Sequence, residues 1–237
     1  MAKKYLVLFF IGFYCICYSA QINAQNNVFN VGYDIIGVIN NNRVRFYECY
    51  QDTWKYMPKL DMTLPAGYKG IFSMDDIIGI VENNRVRFYE EDDETWEYFS
   101  KLDMALPNGY RSVFGIEEGL VGVIINNKIQ FYELNDLNMW ENIPELDMRL
   151  PNGYKDVFCI FGEIIGVNIN NKIQFYGLNY DDAWEYIPEA DMTLPNGYRS
   201  VFSMDDYVGV VVNNKVQFYE NINDSWIIIP EMDFLIR

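Results

Sequence analysis

One unit of about 43 residues is repeated five times along this chain. A Phe-Tyr pair and a tryptophan mark each copy, and both recur every 42 to 44 residues. Repetition at this period is typical of architectures built from one supersecondary unit. The copies occupy the chain from about residue 27 onward, so we expect a single domain. The markers are Phe46-Tyr47, Phe88-Tyr89, Phe131-Tyr132, Phe175-Tyr176 and Phe218-Tyr219, with Trp54, Trp96, Trp140, Trp184 and Trp226.

Each copy contains four short apolar segments with the features of β-strands. In the last copy they read SVFSM, YVGVVV, KVQFYE and WIIIP. An Asn-Asn pair separates the second segment from the third, and asparagine tolerates the positive φ of a type I′ hairpin turn. The longer connections, such as Leu102–Tyr110, carry Pro-Asn-Gly, which suits a tight turn.

Four strands per unit and five units predict an all-β fold, a five-bladed β-propeller. The blade boundaries are expected near residues 27–69, 70–111, 112–155, 156–199 and 200–237. The alternative is a β-solenoid, but its coils are usually shorter and would not each need two hairpin turns. The second strand is apolar on both faces, as expected for a strand packed between neighbours. Its recurring glycine is expected to let adjacent backbones approach closely.

Two strand registers are compatible with a closed ring. If YVGVVV is the innermost strand, the N-terminal VFNV pairs with the last blade and joins the two ends of the chain. In the other register, each blade is continuous in sequence and VFNV belongs to the first blade. The strand count alone allows both.

The first 24 residues have the pattern of a secretory signal peptide. Lys3 and Lys4 precede the apolar run YLVLFFIGFYCIC, and small residues follow it up to Ala24. The rival is a membrane anchor, but this run is too short to cross a bilayer comfortably. We therefore expect a mature chain of residues 25–237 that is secreted, extracellular or periplasmic, and has no membrane span.

The formal charge of −16 restricts the choice of partners. An acidic surface repels phosphate backbones, so nucleic acid is not an expected partner, whereas cationic partners and calcium are compatible. The chain has no histidine and no CxxC, which argues against a zinc site. Cys49 and Cys159 remain after cleavage, and they either form one bridge or stay unpaired as small apolar residues. We expect a monomer without a required cofactor.

Two known families share features with these repeats. The five-fold count and the repeat length resemble the tachylectin-type five-bladed lectins. The stretch NNKVQFYENINDSW resembles a hemopexin repeat, although the adjacent Tyr-Trp of that family is absent. The resemblance implies a propeller fold and, from the lectins, an ability to bind sugars.

Strand alternation places the turn between the first and second strands, and the loop between the third and fourth, at one end of the ring. These segments are acidic and differ between copies. Paired carboxylates suit calcium or a basic partner, and they could act as acid and base in a glycosidase. They could equally be solvated loops that keep the protein soluble. The candidates are Asp75, Asp76, Asp92, Asp93, Asp205 and Asp206.

The opposite end carries the Asn-Asn turns and the nearly identical Pro-Asn-Gly-Tyr connections. Amide side chains next to an exposed aromatic ring suit sugars, because hydroxyls bind the amide and the sugar's apolar face stacks on the ring. Turn chemistry explains the same residues without a ligand. In that case the aspartates before each connection cap a turn, and the tryptophans pack between blades. The candidate binding residues are Tyr68, Asn108, Tyr110, Asn152, Tyr154, Asn196 and Tyr198.

These patterns favour a binding protein over an enzyme. The sequence has no histidine for a triad and no phosphate-binding glycine loop, and no catalytic residue is predicted. Five similar weak sites on one disc suit multivalent carbohydrate recognition. The alternative is a protein-interaction disc that uses the acidic loops, and a glycosidase is a third, less favoured function. The sequence does not identify the ligand.

Overall fold

The computed structural model describes residues 28–32, 34–51, 53–93, 95–116, 119–160 and 164–236. Within these residues the chain forms five antiparallel sheets arranged as a five-bladed β-propeller, and no α-helix. The predicted all-β class and blade number are therefore confirmed. The helical turns in the described part of the chain are too short to cross a membrane. The predicted signal peptide, residues 1–24, lies outside the described residues.

Each blade consists of consecutive strands. Blade 1 contains β1 (Val28–Val31), β2 (Ile35–Asn40), β3 (Arg43–Tyr50), β4 (Thr53–Tyr56) and β5 (Met62–Thr63). Blade 2 contains β6 (Gly70–Met74), β7 (Ile77–Glu82), β8 (Arg85–Asp92), β9 (Thr95–Tyr98) and β10 (Met104–Ala105). Blade 3 contains β11 (Tyr110–Ile116), β12 (Leu120–Ile125), β13 (Lys128–Leu134), β14 (Trp140–Asn142) and β15 (Met148–Arg149).

The last two blades follow the same plan. Blade 4 contains β16 (Tyr154–Ile160), β17 (Ile164–Ile169), β18 (Lys172–Leu178) and β19 (Trp184–Thr193). Blade 5 contains β20 (Tyr198–Met204), β21 (Tyr207–Val212), β22 (Lys215–Asn221), β23 (Trp226–Ile228) and β24 (Phe234–Leu235). Short 3-10 turns precede the last strand of four blades, at Pro58–Leu60, Ser100–Leu102, Pro144–Leu146 and Pro230–Met232.

The first strand of each blade is the innermost one. The strands β1, β6, β11, β16 and β20 contact one another around the ring, and β1 meets both β6 and β20. The strand β1 pairs with β2 of its own blade, so every blade is continuous in sequence. The register with YVGVVV as the innermost strand is therefore wrong. VFNV does not pair with the last blade to join the two ends of the chain. The first and second strands are both buried, so burial alone does not show which of them lies nearer the axis.

Asn-Asn turns connect the second and third strands in all five blades. Both asparagines have positive φ, for example 51° and 60° at Asn41 and Asn42. The two strands on either side of the turn pair with each other directly beside it, as Asn40 does with Arg43. This confirms the predicted type I′ hairpins.

The glycine of each second strand lies beneath a phenylalanine of the inner strand. Phe29 is the cross-strand partner of Gly37, and the same pairing recurs in the other four blades. A Cβ on these glycines would stand between 2.3 and 2.5 Å from the nearest ring carbon. The expectation that these glycines admit a neighbouring backbone is therefore wrong, because they make room for an aromatic ring.

A tryptophan joins each blade to the preceding one. The Trp184 indole stacks on Phe131 with ring centroids 5.4 Å apart. Its Nε1–H donates to the carbonyl of Leu146 at 2.7 Å. Equivalent hydrogen bonds recur at Trp54, Trp96, Trp140 and Trp226. The bond from Trp54 reaches Met232, so it closes the ring between blades 1 and 5. The predicted packing role of the tryptophans between blades is confirmed.

Candidate functional site

The two ends of the ring carry different groups. We call the end with the Asn-Asn turns and the Pro-x-Gly-Tyr connections the bottom face. The top face carries the turns between first and second strands and the loops between third and fourth strands. The second strands that connect the faces have six residues, which spans about 20 Å at roughly 3.3 Å per residue. Charges on one face therefore act largely independently of those on the other.

The Pro-Asn-Gly-Tyr connections project exposed amides from the bottom face. In the connection that ends blade 2, the Tyr110 N–H closes a turn on the Pro107 carbonyl at 3.4 Å. Gly109 has φ +82°, and no atom lies within 4 Å of where its Cβ would be. The asparagine before the glycine is exposed in three connections, at Asn108, Asn152 and Asn196. In the first connection the same position is Ala66.

The tyrosines that follow these glycines are not open stacking surfaces. Tyr110 is only 8% exposed, and Tyr68, Tyr154 and Tyr198 are half-buried. Burial raises the pKa of the Tyr68 phenol above its usual range. The expectation of exposed aromatic rings is therefore wrong, because each blade covers much of its neighbour's tyrosine. The periodicity of the sequence does not indicate which residues of neighbouring blades are in contact.

A cation follows each of these tyrosines, and three of the four cations contact a tyrosine of the next blade. We call Lys69, Arg111, Lys155 and Arg199 the inner cations. Lys155 Nζ lies 3.3 Å from the Tyr198 hydroxyl and 5.6 Å from the centre of that ring. Lys69 and Arg111 contact Tyr110 and Tyr154 in the same way. All four also bind the second asparagine of their own hairpin turn, at Asn84, Asn127, Asn171 and Asn214.

The inner cations were absent from the candidates predicted by sequence. A signal for them exists, since a Lys or Arg follows Gly-Tyr in all four connections. The sequence also does not show that Lys69 and Lys155 donate hydrogen bonds to neutral amide and phenol oxygens.

A second set of cations on the bottom face is neutralised. Arg43 at the start of β3 lies 2.9 Å from Asp61, whose side chain is only 4% exposed. Arg85, Lys128 and Lys215 pair in the same way with Asp103, Asp147 and Asp233. The Asp61 backbone N–H closes its 3-10 turn on Pro58, while its carboxylate binds the strand. Among the described residues, four of the five aspartates predicted as turn caps thus act as ion-pair partners, and Asp191 accepts a hydrogen bond from Tyr186 instead.

Tyrosines of the outer strands donate to the same aspartates. The Tyr56 hydroxyl donates to Asp61 at 2.6 Å, and Tyr98 and Tyr186 do so to Asp103 and Asp191 at 2.7 Å. This hydrogen bond to a carboxylate raises the pKa of each of these three phenols. In blades 1 and 2 the contact fixes the 3-10 segment against the outer part of the blade, and in blade 4 it joins two positions of β19.

A small cavity of about 130 Å³ lies on the axis of the ring. Residues of all five inner strands line it, including Asn30, Ser73 and Ser203. Its lining also includes Lys69 and Asp156 at the bottom end. Several waters, each taking about 30 Å³, would fill a space of this size. Cys159 is part of the lining, and no disulfide joins it to Cys49 in blade 1.

The acidic candidates lie on the top face but in separate blades. Asp75 and Asp76 form the inner turn of blade 2, and Asp205 and Asp206 form that of blade 5. Burial, followed by the nearby charge of Asp206, raises the pKa of Asp205. Asp92 is the last residue of β8, and Asp93 lies in the turn that follows it, in the outer part of blade 2. Among the described residues no three acidic, cysteine or histidine side chains converge as a metal site would require.

The solved structures that this chain is similar to share little of its sequence. No known family and no curated protein matches the sequence. A functionally unknown protein from Desulfotomaculum acetoxidans is 11% identical over 83% of this chain, with a TM-score of 0.44. Kluyveromyces lactis Hsv2 is 12% identical over 87%, with a TM-score of 0.46. The chain spans 65% and 62% of the lengths of these two structures.

Proposed function

We propose that this chain is a non-catalytic, secreted binding protein that recognises carbohydrates multivalently through its bottom face. One observation carries the proposal: exposed polar loop tips of the same sequence, Pro-Asn-Gly-Tyr, recur in three connections of the bottom face. Asn108, Asn152 and Asn196 are exposed at these tips. An amide both donates and accepts hydrogen bonds, which suits sugar hydroxyls. Repeated weak sites on a rigid body gain avidity toward a repetitive target.

The half-buried tyrosines have a smaller part in this proposal. Removing Tyr110 or Tyr198 would disturb contacts between blades, and the loss of binding would then have two explanations. Among the described residues no side-chain hydrogen bond is found for these three asparagines, and we expect substitution at the exposed tips to leave the blades intact. Variants at the asparagines therefore test binding without testing stability.

The test is a glycan-array screen of the protein, with and without calcium, followed by a triple variant. Saturable binding is expected, and Asn108→Ala, Asn152→Ala and Asn196→Ala together should weaken it at least about tenfold, at roughly 1 kcal/mol per lost hydrogen bond. Asn221→Ala, an exposed amide near the top face, is the control and should bind normally. A blank array from folded protein would overturn the proposal.

A second candidate uses the acidic top face to hold a basic protein partner. The desolvated Asp205 beside Asp206 favours it, because both carboxylates would be stabilised by a cation. Such a complex should weaken with ionic strength. Asp205→Asn with Asp206→Asn should abolish capture of that partner and leave glycan binding unchanged.

A further inference from the structure

We infer that the bottom face selects acidic polysaccharides, whose carboxylate or sulfate groups bind the inner cations. This inference rests on the proposed carbohydrate function and specifies its substrate class. The cations on the bottom face differ in whether they have an anionic partner. The outer cations Arg43, Arg85, Lys128 and Lys215 each pair with an aspartate. Lys69, Arg111, Lys155 and Arg199 have no carboxylate within ion-pair distance among the described residues.

The inner cations are held in place by neutral groups. Amide and phenol oxygens orient Lys155 at 3.4 Å from Asn171 and 3.3 Å from Tyr198, and they leave its charge uncompensated. Lys155 is exposed, as are Arg111 and Arg199. A cation that is fixed before binding loses less side-chain entropy when an anion arrives. The ring therefore presents oriented positive charges to solvent.

The net charge of −16 does not cancel these charges. The top-face carboxylates lie about 20 Å away along the strands, whereas the Debye length is about 8 Å at physiological salt. The residues that directly follow the inner cations in the chain are Gly70, Ser112, Asp156 and Ser200. Asp156 is half-buried and accepts a hydrogen bond from the Val157 N–H. Of these four neighbouring residues only Asp156 is charged, so the four inner cations are in excess over carboxylates at the starts of these strands.

The arrangement suits a polymer with regularly spaced anions. Arginine binds carboxylate or sulfate through two parallel hydrogen bonds, and lysine acts as a point charge. The loop-tip amide three residues before each of Arg111, Lys155 and Arg199 is available to neighbouring hydroxyls. One blade thus offers a cation and an amide, and the next blade repeats the pair. A uronate or sulfated chain carries both matching groups in every unit.

The test compares polygalacturonate and dextran sulfate with uncharged dextran, and duplex DNA serves as a polyanion without sugar hydroxyls on its surface. The protein is expected to bind at least one acidic polymer more tightly than dextran. Arg111→Gln, Lys155→Gln and Arg199→Gln together should weaken that binding at least about tenfold. The control variant Arg45→Gln, Lys55→Gln and Lys101→Gln removes as much charge from elsewhere and should bind normally.

The outcomes separate the two proposals. Equal binding of dextran and the acidic polymers overturns the inference and leaves the carbohydrate function standing. Binding of none of the polymers, together with a blank glycan array, overturns both. Binding of DNA as tight as that of the acidic polymers identifies an unselective polyanion face and overturns the sugar assignment. Equal loss in the two triple variants, both folded by circular dichroism, also overturns the role of the inner cations.

Discussion

At each glycine of the second strands, a phenylalanine ring occupies the space that a side chain would need. A methyl group on Gly122 would stand 2.3 Å from the Phe114 ring, which is itself buried. We predict that Gly122→Ala lowers the free energy of unfolding by about 1–3 kcal/mol, as overpacking does. Urea unfolding followed by tryptophan fluorescence measures it.

The control is Gly109→Ala, at a loop tip with open space. Its φ of +82° imposes backbone strain only, which costs about 1 kcal/mol. A smaller loss at Gly122 than at Gly109 would show that the inner ring moves aside easily and that the two strands are not tightly packed.

Alkaline pH should loosen the outer parts of the blades. The pKa values of Tyr56, Tyr98 and Tyr186 are raised by hydrogen bonds to aspartate, which require the neutral phenol. Their stabilising contribution is therefore complete below the unfolded phenol pKa of about 10, and it is lost as pH rises through the folded value. Thermal unfolding from pH 8 to 11 measures this decline. Tyr56→Phe, Tyr98→Phe and Tyr186→Phe together should make it shallower.

Single residues show where sequence reasoning succeeds and where it does not. The positive φ of Asn41 and Asn42 follows from local chemistry, so the turn was predictable. The burial of Tyr110 depends on Lys69 of the preceding blade and on its neighbours. That contact joins residues 41 positions apart, and no local pattern reports it. The candidate asparagines were placed correctly on the bottom face, and the inner cations were missed.

At the scale of elements, the tryptophan that joins two blades combines stacking with one hydrogen bond. Trp184→Phe keeps an aromatic ring near Phe131 but leaves the Leu146 carbonyl without its donor. We expect it to cost about 1–2 kcal/mol, and Trp184→Ala to cost about 3 kcal/mol or more. Chemical denaturation of both variants measures these losses. Equal losses would contradict a separate role for the stack.

The order of strands was the part of the fold that the sequence left open. Hairpin turns fix which strands are neighbours, and the repeat fixes how many sheets form. Neither determines which edge of the sheet faces the axis, because the first and second strands are both apolar. The deciding contact is between β1 and β20, from opposite ends of the chain. Its existence depends on ring geometry, which no single unit contains.

For the whole molecule, closure means that blades 5 and 1 share the tryptophan hydrogen bond found between the other blades. Trp54 contacts Phe218 and Met232 of blade 5 as Trp140 contacts Phe88 and Leu102 of blade 2. We predict that Trp54→Ala and Trp140→Ala destabilise equally, by about 3 kcal/mol each. Equilibrium unfolding in urea compares them. In an open array, loss of Trp54 would cost little, and that result would contradict closure.

The exposed loop tips also make this protein subject to chemical ageing. Each of Asn108, Asn152 and Asn196 precedes a glycine in an open turn. In such a turn the glycine nitrogen can attack the side-chain amide, and ammonia is released. Water then opens the cyclic imide that forms, so each completed event replaces an amide with a carboxylate three residues from an inner cation. In older molecules these new carboxylates would therefore offset the charge of the inner cations. The affinity of the bottom face for an anionic ligand would decline with time since synthesis.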